Sequence, residues 1–129
     1  MTHRTMALFL PLLFIASGLF AQNKSHAPDI TGKWVSKGDP NYTLLVKNGW
    51  IYESHKNSHA VDTFRYDITN RPCSTGKPTD KKSRFLHKTN KTGGTEYCYK
   101  LLSCSSNAFV MTSNANGTTY RFIRYLKRY

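Results

Sequence analysis

Apolar and polar residues alternate one by one through VDTFRYDIT, residues 61–69: Phe64, Tyr66 and Ile68 fall on one side, Arg65 and Asp67 on the other. A period of two marks a β-strand with one buried face, because successive side chains of an extended chain point to opposite faces. The same alternation places Phe85 with His87, Tyr97 with Tyr99 and Leu101, and Tyr120 with Phe122. Short segments rich in aromatic and β-branched residues, each bounded by turn-forming clusters, predict eight strands, at 32–36, 42–47, 50–54, 61–69, 83–88, 95–103, 108–112 and 118–127. No segment sustains a helical period, and only NRPCSTGKPTDKKS leaves room for a short helix.

The turns fit this count. Asn48-Gly49 lies between two apolar runs and is the strongest short hairpin signal, since both central residues of such a turn need positive φ. Longer loops, KTNKTGGTE and TSNANGTT, separate later pairs. The first hairpin carries a conflict. A two-residue turn sets Val46 opposite Ile51 and Leu44 opposite Glu53, which puts a carboxylate on an apolar face. Either the turn is longer, or Glu53 enters the interior and needs a basic partner; the longer turn is the simpler expectation.

Ahead of the first strand, Arg4 precedes an apolar run from Met6 to Phe20, followed by small and polar residues near Ala21 and Gln22. That layout is a secretory signal peptide, too short and too interrupted by Pro11 to span a bilayer as a helix. Cleavage after Ala21, with Gly18 as the alternative, makes residues 1–21 the signal and 22–129 a single domain. No cysteine follows the apolar run until Cys73, so a lipid anchor at a new N-terminal cysteine is not expected. The mature chain is expected to be soluble, secreted or periplasmic.

Cleavage removes Arg4 and leaves 18 basic against seven acidic residues, a net charge of +11. Such a balance favours anionic partners without choosing among them. Export also changes how the cysteines read, because thiols outside the cytoplasm meet an oxidising environment. Cys98 and Cys104 on one extended strand stand roughly 20 Å apart, beyond the Cα separation of about 7 Å that a disulfide tolerates. Cys73 is then the common partner, and Cys73 with Cys98 is the favoured pair, leaving Cys104 buried or free for an intermolecular bond.

The first strand opens with Gly32, Lys33 and Trp34. A Gly-x-Trp there, followed by an antiparallel meander in a secreted chain, resembles the lipocalin and wider calycin pattern. The segments KNGWIYES, FRYDIT followed by Cys73, and EYCYKL are similar to those of short lipocalin-like proteins exported by Gram-negative bacteria. The Thr-Asp-Tyr element of true lipocalins is absent, and the chain is shorter than theirs. The resemblance implies an all-β fold: a small antiparallel up-and-down barrel of about eight strands. It also implies that Trp34 packs at the closed end beneath a basic residue of the last strand, Arg124, with Arg121 as the alternative.

Barrel mouths are recurrent ligand sites, and small barrels are also readily filled by their own side chains. A candidate apolar pocket is lined by Trp34, Tyr42, Leu44, Phe64, Tyr66, Phe85, Tyr97, Tyr99 and Phe122; the competing expectation is a closed core. A basic exterior is expected at Lys77, Lys81, Lys82, Arg84, Lys88 and Lys91, with Arg121, Lys127 and Arg128 near the C-terminus. His55 and His59 stand about 13 Å apart in an extended segment and lack a third ligand, so no metal site is expected. Neither KTNKTGGT nor CSTGKPT has phosphate-loop spacing, and no catalytic residues or cofactor are predicted.

The expected function is a non-enzymatic binding protein, holding a small apolar ligand. Its rival is an interaction protein, such as an inhibitor or immunity-type factor, turned towards an anionic protein, glycan or lipid. Nucleic acid is not expected as a partner of an exported chain. Intact mass spectrometry of protein exported by its host should show the loss of residues 1–21, one disulfide and one free thiol. Three free thiols would refute the pairing.

Overall fold

The computed structural model describes residues 27–126. The segment read as a signal peptide, its cleavage site and the basic residues Lys127 and Arg128 lie outside the described residues. Eight strands follow one another: β1 (Gly32–Ser36), β2 (Tyr42–Lys47), β3 (Trp50–His55), β4 (Val61–Thr69), β5 (Arg84–Asn90), β6 (Glu96–Cys104), β7 (Ala108–Ser113) and β8 (Thr119–Arg124). Each pairs antiparallel with its neighbours in sequence, and β1 closes on β8. The molecule is therefore an all-β, eight-stranded up-and-down barrel, with no helix among the described residues. Closure removes the unpaired sheet edges that an open meander would leave for another chain. The main departures from the expected bounds are β5, which runs on to Asn90, and β8, which ends at Arg124.

Asn48 and Gly49 both take positive φ, 53° and 79°, the primed turn that matches the twist of the flanking strands. The turn is two residues long, not longer. Val46 pairs with Ile51 and Leu44 with Glu53, so the carboxylate enters the barrel.

One end of the barrel is shut by large rings. Trp34 is fully buried, meets Phe109 edge-on at 4.8 Å, and donates its indole N–H to the Ile30 carbonyl at 2.7 Å. Phe109 stacks on Phe122 at 4.9 Å. The Arg124 guanidinium lies 4.0 Å above the Trp34 ring and donates to the carbonyls of Thr31 and Ser106. Arg124 pairs with Trp34 across the β1–β8 seam; Arg121 points outward, exposed. Arg124 is half-buried, and a guanidinium stacked on an indole in such a setting contributes about 1 kcal/mol. It also ties the last strand, the first strand and the β6–β7 turn into one knot.

Gly32 is what lets Arg124 cross. Its φ is +135°, and a Cβ built there would lie 1.8 Å from the Arg124 Nη1.

The outer wall carries a second buried layer. Phe85 and His87 were expected to face inward, but Leu86 is the β5 residue in the core; Phe85 and His87 lie on the opposite face, buried there. The long connection of residues 70–83 folds back against that face: the His87 ring contacts the Arg71 carbonyl at 2.6 Å, and Cys73 is disulfide-bonded to Cys98, the β6 partner of His87. The Cα atoms of this bond are 5.6 Å apart and it closes 25 residues. Ser74 donates from its backbone N–H and its hydroxyl to Glu96, and these bonds hold the Glu96 carboxyl below its ordinary range. Cys104 stays free. An irregularity in the β6–β7 register between Leu101 and Ser103 turns Cys104 inward against the core, where burial raises its thiol.

Gly32→Ala should cost about 2 kcal/mol or more, since it imposes both a strained φ and a clash with Arg124. Urea unfolding followed by Trp34 fluorescence measures it. A change below about 0.5 kcal/mol would mean that Arg124 does not lie across Gly32.

Candidate functional site

The rings at the closed end leave the other end of the barrel unfilled. A cavity of about 360 Å³ opens there, past Ser36 and Asp39, and is walled by Tyr42, Glu53, Lys88, Tyr99, Met111, Tyr120 and Phe122. Three strand registers converge to make it. The Asn48-Gly49 turn brings Glu53 inward; Leu86 in the core fixes Lys88 on the same face two residues later; and the pairing of Met111 with Tyr120 and of Phe109 with Phe122 sets the far wall.

Lys88 is only 7% exposed and ion-pairs with Glu53. Its ammonium also sits 4.3 Å from the Phe64 ring centre and 5.4 Å and 5.6 Å from those of Tyr99 and Tyr97. An ammonium stripped of water is held by two means at once, an opposite charge and the negative faces of three rings. The Tyr42 hydroxyl lines the same cavity as the Glu53 carboxylate. Burial, reinforced by the Glu53 charge, pushes the Tyr42 and Tyr99 phenols well above their ordinary range. Both hydroxyls stay protonated at neutral pH and remain available as donors and acceptors. At the rim, His55 contacts Asp39 at 2.9 Å, and this hydrogen bond holds the Asp39 carboxyl low.

Of the expected pocket lining, Tyr42, Tyr99 and Phe122 wall the cavity. Trp34 and Leu44 lie in the core, at 0% and 3% exposure, and Phe64 packs in it as well. Tyr66 is partly buried and packs against the core rather than lining the cavity. Tyr97 faces Phe64 edge-on at 5.9 Å but is 42% exposed. Phe85 is on the outer face, as above. The largest correction is Lys88, expected on the basic exterior and buried instead as the partner of Glu53. Alternation could not place it: Phe85, Leu86, His87 and Lys88 are all buried in succession, because the 70–83 connection covers the outer face of the strand. Ser36, Asp39, Met111 and Tyr120 complete the wall beyond the expected lining. Of these, Tyr120 had a signal, since it shares the face of Phe122.

The remaining basic residues do not form one patch. Lys77, Lys81 and Lys82 are exposed in the β4–β5 connection at the closed end, where the Arg84 guanidinium donates to the Lys81 carbonyl. Lys91 begins the β5–β6 connection and lies 5.9 Å from the Trp50 ring, on which Arg65 also stacks. His59 is exposed and distant in role from the His55–Asp39 pair. The single His/Cys/Asp/Glu cluster among the described residues is Cys73, Glu96 and Cys98, and its two sulfurs are joined to each other. A groove of about 380 Å³ runs outside the barrel between Arg65, Asp67, Ser74, His87 and Glu96. Its Glu96 and His87 are already engaged by Ser74 and Arg71.

No family model, curated protein or solved structure matches this chain significantly. The site is therefore read from its own geometry.

Lys88→Met should destabilise the barrel by about 3–5 kcal/mol, because it strands the Glu53 carboxylate without a counter-charge. The double variant E53M/K88M should recover most of that loss. Urea unfolding of the three proteins tests it, and a double variant less stable than K88M would show that the two charges are not paired.

Proposed function

We propose that this protein is an exported, non-enzymatic, lipocalin-like carrier that holds a small ligand with an apolar body in the cavity at the open end of its barrel. The observation that carries this reading is the division of the interior: rings fill one end to closure, while about 360 Å³ at the other is left open and walled by side chains. That volume lies near the lower end of the roughly 300–1,000 Å³ typical of small-molecule sites. The two charged groups in the wall, Glu53 and Lys88, pair with each other, which suits holding a ligand rather than converting it. The Gly32, Trp34 and Arg124 knot supports kinship with lipocalin-like barrels. Export is supported by the N-terminal apolar segment together with the disulfide. No helix among the described residues is long and apolar enough to cross a membrane.

A second reading rests on the exposed lysines of the 70–83 connection, which are stapled in place by Cys73–Cys98 and offer a cationic surface to an anionic protein, glycan or lipid. Titration with N-phenyl-1-naphthylamine, an uncharged fluorescent probe, separates the two. Saturable one-to-one uptake with energy transfer from tryptophan is the expected result. An absence of uptake, with salt-sensitive capture by an acidic protein or glycan, would move the function to the exterior.

A further inference from the structure

The charges inside the cavity restrict what it accepts, and this step rests on the binding reading above. Glu53 and Lys88 cancel in the buried wall of the site, while the Asp39 carboxylate stands at the rim against His55. A carboxylate ligand drawn to Lys88 would set its charge against Glu53. An ammonium ligand drawn to Glu53 would have to displace Lys88 from the position that Phe64, Tyr97 and Tyr99 already enclose. In either case one uncompensated charge remains in a low-dielectric interior, which is unfavourable even after relaxation. A neutral ligand carries no such cost. The rest of the wall favours a flat, polarizable body: the Phe122 ring and three phenols accept edge-on or offset contacts, and the Met111 thioether adapts to a ring edge.

Hydrogen bonding narrows the class further. Lys88 donates to Glu53, and the protonated phenols of Tyr42 and Tyr99 lie in the same wall. A hydroxyl both donates and accepts, so it matches either the carboxylate or a phenol without bringing a charge. We propose that the cavity selects small uncharged ring compounds bearing a hydroxyl group, of the phenol or naphthol class, over their carboxylate and ammonium analogues.

The mature full chain is titrated with 2-naphthol, 2-naphthoate, 2-naphthylmethylammonium and 2-methoxynaphthalene, with Met111 methyl shifts reporting the site. The proposal expects 2-naphthol to bind at least about tenfold more tightly than either charged analogue, and about tenfold more tightly than the methoxy compound, which cannot donate. In E53M/K88M the preference for 2-naphthol over the methoxy compound should shrink towards parity. Equal or tighter binding of the naphthoate or the ammonium compound overturns the selectivity and leaves the carrier reading standing. Parity between 2-naphthol and its methyl ether in the wild-type protein overturns the hydroxyl assignment. If none of the four perturbs Met111, the carrier reading itself falls.

Discussion

The two-residue turn at Asn48-Gly49 is the constraint from which the interior follows. A longer loop would have allowed the second strand of the hairpin to slip by one residue, which exchanges every inward side chain for an outward one. With both turn residues at positive φ, the register is fixed and Glu53 has nowhere to go but inside. A lone carboxylate there would carry a large desolvation cost, so the fold requires a cation on a strand within reach. Lys88 supplies it from β5, crossing the Phe64 ring to do so. The pair places two charged groups in the wall of the open end, among the rings that line it.

The opposite end obeys a different rule. Trp34, Phe109 and Phe122 pack ring against ring, and Arg124 seals them with hydrogen bonds to Thr31 ahead of β1 and to Ser106 in the β6–β7 turn. Gly32 is small because the guanidinium occupies the space its side chain would take. The Gly-x-Trp motif is thus a matched set with Arg124: indole, cation, and a residue without a Cβ between them. These contacts shut this end, and the cavity lies at the other.

Much of the fold was legible because most strands have one wet face. Phe64, Tyr66 and Ile68 alternate with Arg65 and Asp67, and the structure orients them as the pattern requires. Distance along a single strand excluded a Cys98–Cys104 bond and left Cys73 as the common partner; the favoured pairing with Cys98 is the one that forms. Legibility failed at β5, where a covering loop buries both faces and makes Phe85, Leu86, His87 and Lys88 look alike to any periodic reading. It failed again at the hairpin, where the turn signal and the cost of a buried carboxylate pointed in opposite directions. These two errors share one cause. Glu53 is intelligible only with Lys88, and the partner stands 35 residues away on a strand whose phase the sequence does not show.

Lysine acetylation footprinting under native conditions addresses that pair directly. Brief treatment with an acylating reagent, followed by mass spectrometry, compares the reactivity of Lys88 with that of exposed lysines in the same molecule. Lys77, Lys81 and Lys82 should be modified while Lys88 stays protected until the barrel is unfolded. Acetylation of Lys88 at the same rate as Lys77 in the folded protein would contradict the buried pair.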